Sequence, residues 1–310
     1  METNNENPAQ YEWGPFPFRD GERILDIRYD EVFKAVFTKD TSDSRGALSD
    51  LISTLIGCTV VVETITANEP PINDLRQKYI RFDVSCRIKG GEFVNVEMSF
   101  NPSTDEKARL EYYTGILFTG QDIHGKNKNY NDLKETYQIA ILAKEEFYPD
   151  EELIHDFSYS DLKRHVLYGG KTKIITVELV KTKPIVDKPV EEMTNAELWA
   201  VFFQYLTDPE KRAKIIEIIK REEGIAMAVK TMTGFTQNEI EYIRKMSLLK
   251  AELDYQSGMT NAKREGHKEG LAEGRNEEKL DIARNLKKMG LSVSQIAEGT
   301  GLSAEIIAKL

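Results

Sequence analysis

The sequence predicts an α/β core with a mixed central sheet flanked by helices, followed by an all-helical C-terminal region. Three observations carry this reading. A β-hairpin with one acidic residue in the middle of each arm spans Lys78 to Phe100, KYIRFDVSCRIKGGEFVNVEMSF. Around it, helical and strand-like patterns follow in the order helix, helix, strand, hairpin, helix, strand, hairpin, which suits a compact domain with at least one helix crossing the sheet. Beyond KTKPIVDKPVEE, where two prolines sit in a mixture of charges, nearly every segment has helical periodicity.

At 310 residues the chain is long for one domain. The expected division is a core over 1–183, a linker over 184–190, a helical bundle over 191–258 and a tail over 259–310. With 40% hydrophobic and 30% charged residues the chain is globular, and a net charge of −10 argues against a wholly basic nucleic-acid coat while leaving room for a local basic groove. Cys58 and Cys86 are the only cysteines and sit in apolar contexts, so reduced thiols are expected. No signal-peptide pattern opens the chain, and no apolar run reaches the roughly 18–20 residues of a membrane span. The expectation is a cytoplasmic protein without membrane contact.

Met1 to Phe18 is polar and interrupted by proline, an extended arm that can lay Trp13, Phe16 and Phe18 on the core. DIRYDEVFKAVFTKD then puts Val32, Phe33, Val36 and Phe37 on one helical face, with Asp30 as N-cap or first-turn residue. A second helix, Ser44 to Ile56, carries Leu48, Leu51, Ile52 and Leu55 and stops at Gly57. CTVVVETITANEP is β-branched and strand-like, ending at Pro70-Pro71.

In the hairpin, Ile80, Phe82, Val84, Cys86 and Ile88 alternate with Arg81, Asp83, Ser85 and Arg87, and Gly90-Gly91 marks the turn. A three-residue loop over Lys89, Gly90 and Gly91 sets Asp83 opposite Glu97, with Cβ atoms roughly 4.5–5.5 Å apart. A two-residue turn sets Asp83 opposite Met98 and sends the carboxylates to opposite faces. Two carboxylates that close repel unless a cation sits between them, and oxygen ligands suit Mg²⁺ or Mn²⁺. Such a pair can activate water for phosphodiester hydrolysis. The plain alternative is two solvated strand carboxylates, although acidic residues are depleted in strands and Glu97 stands between Val96 and Met98.

After the hairpin, Asp105 to Thr119 is helical, with Arg109, Tyr112, Tyr113 and Ile116 at helical spacings; of the two consecutive tyrosines at most one can line a site. ETYQIAILAKEEF reads as a buried strand, and FSYSDLKRHVLYGGKTKIITVELVK as two strands joined at Gly169-Gly170. In the helical region Thr194 with Glu197 and Thr236 with Glu239 form capping-box patterns, and Asp208-Pro209 starts a helix. Glu-Gly repeats at 265/266, 269/270 and 273/274 with no apolar stripe, a pattern open to a solvated helix or a close helix–helix seam along the glycine row; glycine costs roughly 1 kcal/mol per helical position, so this stretch is expected to be mobile. The remaining tail is helix-turn-helix-like, but its last helix has a single basic residue, which favours packing or self-association over base reading.

His124, His155, His165 and His267 fall at no metal-ligand spacing. No phosphate-cradling glycine motif follows a strand, so no nucleotide cofactor is expected.

The Asp, the glycine-turned hairpin and Glu97-Met98-Ser99 resemble the PD-(D/E)XK nuclease superfamily, whose motif ends Glu-x-(Lys or Gln). The closer resemblance is to its recombination-promoting nuclease (Rpn), or PD-(D/E)XK family transposase, branch. Asp30-Glu31-Val32-Phe33-Lys34, Arg109-Leu110-Glu111-Tyr112-Tyr113 and the Glu-Gly tail carry it in order along nearly the whole chain. The resemblance implies a restriction-endonuclease-like core and a Mg²⁺- or Mn²⁺-dependent DNA endonuclease of a bacterial mobile-element type, acting on double-stranded DNA, with the C-terminal helices available for homo-oligomerisation. It favours the three-residue or a bulged turn, which brings Asp83 and Glu97 together. It further implies that Asp83 and Glu97 hold the metal, that the Met98 carbonyl and Asp30 add contacts, and that Arg109 and Tyr113 lie beside the scissile phosphate. Ser99 departs from the pattern: its hydroxyl can hydrogen-bond a water but brings no positive charge. Lys34 either reaches the site and substitutes for it or is an ordinary solvated lysine. The alternative function is a catalytically weakened nuclease fold that binds DNA or a protein partner.

Overall fold

The structure, a computed structural model, describes residues 18, 24–66, 82–102, 105–123 and 126–310, with only some side chains between 251 and 272. Trp13, Phe16, Ile80, Arg81, His124 and the Pro70-Pro71 break lie outside the described residues. Phe18 is buried in the main core.

Two helices precede the sheet. α1 (Asp30–Thr38) buries Val32, Phe33, Val36 and Phe37, the face its spacing predicts. Asp30 is the first helical residue, after Tyr29 at the N-cap. α2 (Ser42–Ile56) starts where the Thr41 side chain accepts a hydrogen bond from Ser44 N and ends on Gly57 at φ 80°, a left-handed cap.

Among the described residues six strands form one sheet: β1 (Val62–Ile65), β2 (Val84–Ile88), β3 (Phe93–Ser99), β4 (Thr136–Leu142), β5 (Ile154–Phe157) and β8 (Thr172–Glu178). Their order is β1-β2-β3-β4-β8-β5. The first three are antiparallel, β3, β4 and β8 run parallel, and β5 returns antiparallel at the edge. The parallel step from β3 to β4 needs a crossover, which is α3 (Glu106–Thr119).

The turn between β2 and β3 is the three-residue loop. Ile88 N donates to Glu92 O at 3.1 Å and Gly91 N to Ile88 O at 2.9 Å. Gly90 and Gly91 have φ of 138° and 89°, conformations that a side chain would strain. Val84 therefore pairs with Val96, which sets Asp83, the residue before β2, opposite Glu97.

The sheet has two unlike faces. Val84, Cys86, Val94, Val96, Met98, Ile139, Ile141, Ile175 and Val177 enter the main core with α1 and α2. The alternate positions Ser85, Asn95, Glu97, Ser99, Gln138 and Thr176 are buried and polar. α3 covers part of that second face by packing Leu110 on Ala140 and Leu142. A polar layer beneath a crossover helix is where a site can be built without disturbing the core.

The last part of the sheet departs from the expected pair of strands joined at Gly169-Gly170. The β-prone run is broken earlier, because Asp161 Oδ1 accepts from Lys163 N at 2.9 Å and Arg164 N at 2.8 Å and closes a turn there. A short hairpin of β6 (Ser160–Asp161) and β7 (Val166–Leu167) results, and β8 inserts between β4 and β5. At the end of β8, Glu178 is fully buried, with Lys181 Nζ 3.0 Å from its Oε1; Lys181 also meets Asp150 at 2.9 Å.

The helical segment α4 (Asn195–Tyr205), α5 (Arg212–Arg221) and α6 (Glu223–Thr233) shares the main core, through Trp199, Phe202, Phe203, Ile218 and Ile225. Trp199 Nε1 donates to Asp50 Oδ2 at 2.8 Å, and α6 packs on α2. Ile185, Val186 and Val190 of the proline-bearing stretch are buried in that core. The Thr194–Glu197 capping box is formed.

Chain contacts divide the molecule into Met1–Ser247 and Leu248–Leu310. α7 (Gln237–Lys288) takes in the Glu-Gly stretch as continuous helix backbone. The three glycine penalties are spread among good helix formers, and a Cβ at Gly266, Gly270 or Gly274 would meet open space, so these glycines form no close seam among the described residues. In the second unit α8 (Val293–Thr300), opened by the Ser292–Gln295 capping box, and α9 (Ala304–Lys309) close with the end of α7 around Ala283, Ile296, Leu302 and Ile307.

Candidate active site

The hairpin register brings the two carboxylates together, and neighbouring groups fix them. Asp83 and Glu97 are 7% and 3% exposed. Asp83 Oδ2 accepts from Met98 N at 3.1 Å, which turns the carboxylate towards β3. Its Oδ1 lies 3.0 Å from Lys34 Nζ. Lys34 is brought in by the buried face of α1, and Glu31, one turn earlier, is 3.8 Å from the same ammonium. Lys34 is thus a site neighbour and not a solvated lysine.

Glu97 is held from two sides. Asn95, two residues earlier on the same face, donates from Nδ2 to Glu97 Oε1 at 3.1 Å and to Gln138 Oε1 on β4 at 3.0 Å. Arg109 on α3 approaches Oε2 at 3.5 Å and is tied to Glu106 Oε1 at 2.6 Å. Tyr113, one turn further, lies under the Arg109 guanidinium at 5.6 Å and packs edge-on against Phe82. Tyr112 faces solvent. Ser99 is buried at the end of β3, on the same face as Glu97.

Burial dominates the electrostatics. It raises the pKa of Asp83, with Lys34, Met98 N–H and Arg109 pulling the other way. It also raises that of Glu97, and the charge of Asp83 adds to the rise, against Arg109 and the Asn95 hydrogen bond. Burial works to lower Arg109, but Glu97 and Glu106 reverse this and hold it firmly charged. Tyr113 is pushed up by burial and by Glu97, so it stays a neutral phenol. Two buried carboxylates facing one another favour a cation between them.

Charge and donor type fit one divalent ion. Among the described residues the cluster sets the four carboxylates of Glu31, Asp83, Glu97 and Glu106 against the two cations Lys34 and Arg109. No three metal-ligating side chains converge among the described residues. Mg²⁺ and its analogues are usually bound through one or two carboxylates and keep several waters, so the pair suffices as a donor set.

Of the residues singled out from sequence, Asp83, Glu97, Lys34, Arg109 and Tyr113 lie together in one chain of contacts. Met98 contributes its N–H to Asp83 while its side chain enters the core. Asp30 opens α1 one turn before Lys34. Asn95, Gln138, Glu31 and Glu106 escaped the sequence reading. Asn95 carried a signal, since it precedes Glu97 by one strand period; Gln138 depends on a parallel register that no local pattern encodes.

A mixed sheet whose hairpin pairs an Asp with a Glu beside a crossover helix defines a restriction-endonuclease-like, PD-(D/E)XK fold. A family model described as PD-(D/E)XK nuclease family transposase matches residues 27–262, and the chain belongs to that family. No curated protein and no solved structure matches the chain. Membership makes this a nuclease family protein, and PD-(D/E)XK nucleases typically use divalent metals. No described helix is long and apolar enough to cross a membrane.

Proposed function

We propose that the chain is a Mg²⁺- or Mn²⁺-dependent DNA endonuclease that hydrolyses phosphodiester bonds at the Asp83–Glu97 pair and serves a recombination or transposase-like process. The observation that carries this is the meeting of two nearly fully buried carboxylates, each already held by a hydrogen-bond donor and faced by a cation. Asp83 and Glu97 would hold the ion, with the Met98 carbonyl and Asp30 as further oxygen contacts. When bound, the ion supplies charge for the phosphate and lowers the pKa of water.

The chain's own groups have separate tasks in this reading. Met98 N–H and Asn95 Nδ2 keep the two carboxylates oriented. Arg109, fixed by Glu106 on one side, offers the rest of its guanidinium to the phosphate. Lys34 supplies the positive charge that Ser99 lacks, and the Ser99 hydroxyl orients water. Tyr113 buttresses Arg109. The substrate is double-stranded DNA, and the C-terminal helices serve self-association.

Nicking of a supercoiled plasmid by the full chain tests this. Cleavage with Mg²⁺ or Mn²⁺ that stops in EDTA and in both Asp83→Ala and Glu97→Ala supports it. An inactive wild type, or activity that survives both substitutions, overturns it in favour of a weakened nuclease fold used for binding.

A further inference from the structure

The residue after Ser99 belongs to an aromatic and cationic cluster for which the carboxylate site has no use. Phe100 stacks on Tyr29, the residue before α1, with ring centroids 4.4 Å apart and planes at 26°. Lys144 Nζ stands 4.0 Å from the Phe100 centroid and the Arg28 guanidinium carbon 5.8 Å from it. Asp26 grips Arg28 in a fork, at 2.7 Å to Nη2 and 3.0 Å to Nε, so the guanidinium is a fixed part of the assembly. Lys144 is exposed and follows Ala143, whose N–H donates to the Ser99 carbonyl at 2.9 Å. The cluster therefore sits at the carboxyl ends of β3 and β4, beside the end of β3 that carries Glu97 and Ser99.

Phe100 covers one side of the Tyr29 ring, yet Tyr29 remains 37% exposed. The Phe100 ring beneath it also carries Lys144 and Arg28, and those two cations set the cluster apart from an apolar patch suited to a protein partner. A ring with a cation beside it, at the end of a strand that presents a nuclease carboxylate, has the chemistry of single-strand recognition: bases stack on aromatic faces while lysines meet the backbone. An intact duplex offers no base face to such a ring.

We propose that Tyr29, stacked on Phe100, whose ring also carries Lys144, is a platform for an unpaired base next to the reacting phosphate, so that the DNA duplex is engaged where it is locally unwound. This rests on the nuclease reading above and narrows it.

The test is binding of the full chain, in EDTA, to an oligodeoxynucleotide carrying 2-aminopurine, alone and annealed into a duplex. The wild type is expected to bind the single strand more tightly and to quench the 2-aminopurine. Tyr29→Ala should weaken binding roughly 5- to 100-fold and restore the fluorescence, while Tyr29→Phe keeps both. Lys144→Ala, at an exposed position that leaves folding intact, should lower the salt slope by about one. A preference for the duplex, or a Tyr29→Ala protein that melts and binds like wild type, overturns the platform. Tyr29-dependent binding by a protein that nicks nothing would sink the nuclease reading alone. Normal nicking with no Tyr29 dependence would sink the platform alone.

Discussion

Replacing Lys34 by methionine removes the ammonium that lies 3.0 Å from Asp83 Oδ1 and keeps most of the apolar stem. The lysine and aspartate side chains are only 11% and 9% exposed, so water cannot replace the lost charge. The penalty has a ceiling, because Asp83 can escape it by taking up a proton. Protonating a carboxylate of ordinary pKa near 3.9 costs about 4 kcal/mol at about pH 7 and about 1.5 kcal/mol at about pH 5. Met98 N–H and Arg109 still favour the charged form, which brings the expected loss at neutral pH to roughly 2–4 kcal/mol. The sign follows from linkage. The variant's Asp83 has the higher folded pKa, so between the two pKa values only the variant holds a proton, and it loses stability relative to wild type as pH rises. Urea melts in EDTA at both pH values measure this difference. Excess Mn²⁺ should stabilise the variant more than the wild type, since the ion supplies the missing charge. A variant as stable as wild type near neutral pH, or a loss that does not shrink at the lower pH, would show that Lys34 does not balance the charge of Asp83.

Asn95→Leu removes the amide that donates to Glu97 Oε1 at 3.1 Å, and Mn²⁺ affinity measured by calorimetry should fall roughly 10- to 100-fold, whereas an unchanged Kd would show that Asn95 does not position the carboxylate. Lys181→Met leaves the fully buried Glu178 without its cation, although Phe147 N and Tyr148 N still donate to it; a loss of about 3 kcal/mol in a urea melt is expected, with nicking unchanged. Burial pushes the Cys86 thiol up to about 12, so below that pH it stays protonated, while Cys58 is exposed. An aromatic disulfide reagent at mildly alkaline pH should therefore titrate one thiol in the folded protein and both after denaturation; two native thiols would contradict the buried placement.

The hairpin was legible because its information is local. Period-two alternation from Phe82 to Ile88, a glycine pair that alone tolerates the turn's positive φ values, and a loop length that fixes the register together predict which side chains face each other. The apolar faces of α1 and α2 were legible for the same reason. What the sequence left open is where separate elements meet. Lys34 reaches Asp83 only because α1 packs on the sheet through the main core, a contact between residues far apart in sequence. Gln138 meets Asn95 through a parallel register set by the crossover α3. In the run from Phe157 to Lys181, β propensity says which residues can pair but not with which strand, and a single aspartate, Asp161, shifts the turn ahead of the glycines. Asn95 and Gln138 also keep Asn95 Oδ1 and Gln138 Nε2 buried without hydrogen-bond partners among the described residues. A fold optimised for stability alone would avoid that cost of about 1–3 kcal/mol per group, and it falls next to Glu97.

The most direct test of the account is the cleavage rate of a labelled DNA substrate against Mn²⁺ concentration, for the wild type, Asp83→Asn and Glu97→Gln. These amides keep the shape of the site and remove one ligand charge each. The wild type is expected to show a saturable, EDTA-sensitive rate and each variant a fall of at least about 100-fold that rising Mn²⁺ does not restore. Wild-type cleavage that ignores Mn²⁺, or amide variants that cut at the wild-type rate, would contradict the claim that Asp83 and Glu97 form one metal-dependent hydrolytic site.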